Sequence, residues 1–257
     1  MARYPRSSGL SYALGPGPMS PAVKMLIIAN VVAYLAASIV PEMIARLGLH
    51  PAAIFERFAI WQMVTYMFLH APLPAIGHVL FNMLSLWMFG TELERTWGTR
   101  FFVKYYFVTG LGAAATVLLW SMSPLPGADL IYGERTIGAS GAIYGILLAY
   151  ALYFPNREIY LYLLFPIRVK YFVMIVGTIA FLSSLGSGGS GVAHTAHLGG
   201  LVVGYLYLKG LRLRPLDELR YRWLRWKMQR ARGRFDVYSG GRGGDDDWKK
   251  DWKKHIH

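Results

Sequence analysis

Long apolar runs, separated by short polar or proline-rich stretches, divide this chain. They fall at about 22–40, 76–93, 101–120, 141–154, 171–185 and 192–208. A helix that crosses a bilayer needs about 20 predominantly apolar residues, so the pattern predicts an all-α, polytopic membrane protein with six transmembrane helices. The run from Gly141 to Phe154 is short for a span. Residues 41–75 break the pattern with Arg46, Glu56, Arg57, Trp61 and four prolines. That stretch is too polar to span but rich in aromatics, which suits short helices lying at the interface.

Composition agrees with this division. Hydrophobic residues make up 54% of the 257, charged residues only 16%, and the mean hydropathy is +0.34; soluble domains carry about 25% charge. Cysteine is absent, which excludes disulfides and thiolate chemistry. The first run follows a Pro/Gly-rich leader, 1–21, and lacks a small-residue cleavage site, so it reads as an anchor and not a removed signal.

Basic residues then set the orientation. Arg3, Arg6 and Lys24 lie before or at the start of the first run, and Arg95, Arg100 and Lys104 lie at the connection of the second and third. Arg157, Arg168 and Lys170 lie between the fourth and fifth, and a basic tail, 211–257, follows the sixth. The positive-inside rule places both termini in the cytoplasm of a multi-pass cell (inner) membrane protein. Ser140 and His197, each opening a run after an outer connection, then share a depth toward the outer side.

Those two residues carry the candidate chemistry. Ser140 stands between Gly138-Ala139 and Gly141 at the start of a helix, where backbone N–H groups are unpaired. Gly141 and Gly145 share a helix face, and Gly200 and Gly204 repeat the spacing after His197; small faces let helices approach closely. A hydroxyl and an imidazole can therefore meet as a serine–histidine dyad. An ionisable side chain within a span is a functional hypothesis by default, although small serines also simply pack helices. His194, one turn earlier, is a rival base; Gly199 and Gly200 after His197 favour the latter.

His78 and Asn82, four apart on one helix, point the same way. They either bond between helices or form an oxyanion hole with the Ser140 and Gly141 N–H groups. Tyr144 lies one turn after Ser140 and can stack on His197. Glu94, Arg95 and Arg100 suggest a structural ion-pair cluster. No carboxylate or thiolate completes a metal site from His78, His194 and His197, so neither metal nor cofactor is expected.

These residues, taken together, resemble the rhomboid family of intramembrane serine proteases. The resemblance covers about residues 22–210 and rests on His78-Val79-Leu80-Phe81-Asn82, Gly138-Ala139-Ser140-Gly141 with Tyr144, and Ala196-His197-Leu198-Gly199-Gly200. The segment Trp61 to His70 is similar to the family's first-loop segment, and Gly90, Glu94 and Trp97-Gly98 to its inner end of span two. Gln62 departs from the arginine of many relatives, and Ala71 to Gly77 is longer and richer in proline. The resemblance implies Ser140 as nucleophile, His197 as general base without a third acid, and Asn82, His78 and the Ser140 amide as oxyanion donors. It also implies a first loop partly in the outer leaflet, a movable cap before span six, and single-span membrane proteins as substrates.

In the tail, basic residues alternate with tryptophans, and 216–232 can form an amphipathic helix on anionic lipid. Nucleic acid is not an expected partner, because no folded module accompanies the charge. The rival to a protease is a catalytically silent rhomboid-like factor that binds or hands over membrane proteins. A permease using the intramembrane histidines is a third class.

Overall fold

A computed structural model of the chain describes residues 16–161, 165–184 and 191–213, with 223 and 225–227 of the tail. The expected leader up to residue 15, the Gly/Ser loop 186–190 and most of the 216–232 helix lie outside the described residues. Contacts divide the chain after Lys209, and the architecture below is that of the first unit.

Helices dominate it. Helix α1 spans Pro21–Ile39; short helices α2 (Glu42–Leu47), α3 (Pro51–Arg57) and α4 (Gln62–Thr65) follow, then a 3₁₀ turn at Tyr66–Phe68. Helix α5 (Ile76–Ser85) runs through a π-helical turn, Leu86–Gly90, into α6 (Thr91–Trp97). Then come α7 (Thr99–Ser121), a short α8 (Ala128–Gly133), α9 (Ser140–Tyr153), α10 (Val169–Ser184) and α11 (Gly191–Leu213). Among the described residues, α1 and α7 are both long and apolar enough to cross a membrane, while α9 and α10 are apolar but shorter.

The all-α expectation needs one correction. Between α9 and α10 the chain forms an antiparallel hairpin, β1 (Glu158–Leu161) with β2 (Phe165–Arg168), in which Ile159 faces Ile167 and Tyr160 faces Pro166. β-branched and aromatic residues favour strands, and Pro155 before them cannot continue the preceding helix. Read for charge alone, this segment passes as a loop. The second apolar run is likewise not a uniform helix. Its π turn ends at Gly90, where an added Cβ would lie 3.1 Å from both Phe102 and Val23.

Glu94 does not form the expected ion pair. Instead its carboxylate caps α1 from more than 70 residues away. It accepts from the Ala22 and Val23 N–H groups, each at 3.0 Å, from the Ser20 hydroxyl at 2.5 Å and from the Thr99 hydroxyl at 2.7 Å. Pro21 has no N–H, and Lys24 N–H already donates to the Ser20 carbonyl at 2.9 Å. Every leading donor of α1 is thus accounted for. Arg95 donates instead to the Pro16 and Pro18 carbonyls.

Three helices meet where side chains are smallest. A Cβ on Gly200 of α11 would lie 1.9 Å from the Gly141 carbonyl oxygen of α9. One on Gly204 would meet the Tyr105 hydroxyl at 2.5 Å and Gly145 Cα at 3.3 Å, and one on Gly145 would strike Thr109 of α7 at 2.6 Å. The glycine pairs expected to bring two helices together therefore do so, with α7 as the third wall.

Two outcomes follow from this packing. Gly200→Ala pushes a methyl into backbone, not into a yielding side chain, and is expected to cost at least about 3 kcal/mol, read as earlier unfolding in a denaturant titration in detergent. Glu94→Gln is expected to cost about 2 kcal/mol in the same assay.

Candidate active site

Ser140 is the first residue of α9, and His197 lies in the second turn of α11. The Gly141–Gly200 approach draws these two helix ends together, and His197 Nε2 lies 2.8 Å from Ser140 Oγ. The His197 ring stacks on Tyr144, with centroids 4.1 Å apart and planes inclined by 5°. Tyr144 reaches this ring because it follows Ser140 by one turn of the same helix. Nδ1 of His197 is buried and bonds to no described residue. His194 meets His197 edge-on at 5.7 Å; the ring that touches the serine is that of His197.

The backbone ahead of Ser140 is held by the first loop. Gly138 N–H donates to the Tyr66 carbonyl at 3.0 Å, Leu49 and Thr136 exchange both backbone bonds, and the Tyr66 hydroxyl donates to the Gly110 carbonyl at 2.7 Å. Gly138 has φ +123°, a conformation that side-chain-bearing residues rarely adopt. A Cβ there would also sit 3.0 Å from His78 Nε2 and 3.6 Å from Ser140 Oγ. The missing side chain leaves an atom-sized gap between an imidazole and the serine hydroxyl.

His78 and Asn82 face that gap from α5. The His78 Nδ1 accepts the Ala71 N–H at 3.3 Å, which leaves the ring proton on Nε2, the nitrogen turned toward Gly138. Asn82 Nδ2 donates to the His78 carbonyl at 2.7 Å, so its amide is anchored to its own helix with one N–H remaining. As the first residues of α9, Ser140 and Gly141 add N–H groups that lack an intrahelical acceptor. These side chains line a cavity of about 660 Å³ that also reaches Ser85, Arg135, Phe172 and Val176.

Several of these neighbours escape a motif-based reading. Ser85 continues the stripe His78, Asn82 at helical spacing, a signal present in the sequence. Phe172 and Val176 share a face of α10 but look like any apolar span residues. His70 is fully buried with its ring 5.0 Å from that of His78. Burial and then the nearby His78 hold its pKa down to about 4, so it is neutral at physiological pH. Gln62, at the position where the sequence departs from the family, is buried and donates to the Arg46 carbonyl at 3.2 Å while accepting the His50 N–H at 3.1 Å.

Comparison with known proteins places this geometry. The profile of the rhomboid domain matches residues 57–214. The chain is 30% identical over 174 residues to the rhomboid protease GluP of Bacillus subtilis, covering 67% of this chain and 30% of that protein. It is 31% identical over 144 residues to the rhomboid protease AarA of Providencia stuartii, covering 50% of this chain and 49% of AarA. Rhomboid protein 1 of Saccharomyces cerevisiae mitochondria is 34% identical over 137 residues, covering 51% of this chain and 36% of that protein. The matched region thus spans a third to a half of these relatives. A domain match over more than half of the sequence, joined to these similarities, establishes that the chain belongs to the rhomboid family, whose members are membrane proteins.

Proposed function

We propose that this protein is an intramembrane serine endopeptidase that cuts single-span membrane proteins in or near the span. The observation that carries the reading is the 2.8 Å contact between Ser140 Oγ and His197 Nε2 beside a cavity edged by hydrogen-bond donors. Six spans form the bundle: α1, the rod from α5 through α6, α7, α9, α10 and α11. Both termini are cytoplasmic and the dyad lies toward the outer side of the cell membrane.

Depth follows from length. The 14 residues of α9 rise about 21 Å, well short of the roughly 30 Å hydrocarbon layer. With its Tyr153 end at the inner surface, its Ser140 end therefore lies below the outer one, and the polar cavity brings water to that level. Polar groups at membrane depth are tolerated where they line such a cavity. Phe172 and Val176 of α10 line it, as do residues of α5, and a substrate helix enters between α5 and α10.

Ser140 Oγ attacks the scissile carbonyl while His197 Nε2 takes its proton and later gives it to the leaving amine. Nδ1 carries the ring proton throughout the resting state, and the parallel Tyr144 ring fixes the imidazole plane where other hydrolases use a third acid. The developing oxyanion sits in the gap over Gly138, receiving hydrogen bonds from His78 Nε2, Asn82 Nδ2 and the N–H groups of Ser140 and Gly141. Water then cleaves the acyl-enzyme by the reverse proton path. The basic tail, in which Trp223 and Trp226 are exposed beside Arg225 and Lys227, rests on anionic lipid at the cytoplasmic face.

Ser140→Ala and His197→Ala are each expected to abolish cleavage of a reconstituted single-span substrate without changing membrane insertion. Asn82→Ala is expected to lower kcat by about 100- to 1,000-fold. A serine-directed phosphonate should label wild type at Ser140 and leave Ser140→Ala unlabelled; a folded wild-type sample that does not react would favour a non-catalytic binding factor. Cleavage should also fall on the acid side with a single protonation, because charged His197 cannot accept the serine proton. A His194→Ala variant should keep that acid limb, measured as kcat/KM against pH.

A further inference from the structure

A second cavity, of about 350 Å³, opens in the first loop beside the one that holds Ser140. Arg46, Arg57 and Arg135 all line it. No carboxylate among the described residues lies within ion-pair distance of these three guanidinium groups. Glu56 is the only acid in the lining, and it already accepts the Tyr132 hydroxyl at 2.9 Å. The floor is rigid. Gln62 and the Trp61 indole N–H both donate to the Arg46 carbonyl, at 3.2 and 3.1 Å, and the His50 ring bonds the Gly133 carbonyl at 3.1 Å. Three arginines around one hollow, none of them in an ion pair and the single lining carboxylate already accepting from Tyr132, are suited to phosphate, which guanidinium binds in bidentate fashion.

The apolar neighbours say where the phosphate comes from. Phe58, Ile60 and Trp61 are 78%, 66% and 51% exposed; Trp61 lines the cavity, and the other two flank the lining residue Ala59 in the chain. Phe58 also holds φ +53°, an uncommon conformation for a bulky residue. Its ring is exposed, and Arg57, the preceding residue, lines the cavity. Apolar side chains beside a cationic hollow match a lipid, with headgroup inside and acyl chains past the rim; a free ion would make no use of them.

The geometry points to a binding site for the phosphate headgroup of an anionic phospholipid, formed by Arg46, Arg57 and Arg135 in the first loop. The site requires that this loop lie at the outer leaflet, as in the proposed topology, but not that the protein be a protease. Arg135 lines both cavities and precedes Ser140 by five residues, so a lipid held there adjoins the cavity of the dyad.

Native mass spectrometry of the full chain released from detergent tests this without reference to catalysis. Wild type should retain phosphatidylglycerol over phosphatidylcholine. Arg46→Gln, Arg57→Gln and Arg135→Gln should each weaken retention about fivefold, and Lys at the same positions should restore part of it. The basic tail is unchanged in every variant, so a loss reports the first loop. Where a triple variant does not fold, the single variants and their Lys counterparts give the answer. Equal phosphatidylglycerol retention by wild type and folded Gln variants would overturn the site. Displacement of the lipid by millimolar inorganic phosphate, with no dependence on acyl chains, would overturn the lipid as its occupant. So would Gln variants that keep the lipid but lose cleavage only of substrates with acidic residues beside the cut, since the arginines would then read substrate.

Discussion

Gly200 and the Gly141 carbonyl leave no space between α11 and α9, to the point that one methyl group there would sit 1.9 Å from the oxygen. The proposed chemistry hangs on that approach. A hydroxyl and an imidazole 57 residues apart in sequence meet because two backbones touch one residue after the serine and about one turn after the histidine. Lipid supplies no hydrophobic drive between helices, so close packing must hold them. Glycine pairs on α9 and α11, closed on the third side by Thr109 and Tyr105 of α7, provide it.

Around that contact the polar groups are positioned mostly by backbone. Ala71 N–H sets the His78 tautomer, the His78 carbonyl anchors Asn82, and the Tyr66 carbonyl holds Gly138. Fixed donors of this kind need no rearrangement as charge develops. The first loop is therefore a structural partner of the serine and more than a surface embellishment, since its backbone pairs directly with residues 136 and 138.

Much of this was readable from residue types and spacing. Helical periods of three to four placed Tyr144 near His197, His78 in line with Asn82, and the glycines on facing surfaces, and the geometry agrees in each case. What escaped was non-local or irregular. Glu94 looked like half of an ion pair because Arg95 adjoins it, yet its partners are amides 71 and 72 residues upstream, which no local pattern encodes. The hairpin at 158–168 hid within a charged connection, and the π turn within a uniformly apolar run. His70 and Gln62 acquire meaning only once the first loop is folded against α5 and α3. Helix ends moved by a few residues, as expected where caps and not hydropathy decide them.

The capping of α1 by Glu94 also bears on the order of synthesis. The first turn of this helix emerges from the ribosome with the Ala22 and Val23 amides lacking their eventual acceptor, since that carboxylate is translated some seventy residues later. The helix's leading end therefore stays open until Glu94 has been made and folded against it. The latch joins two segments that both precede Ser140 and His197 in the chain.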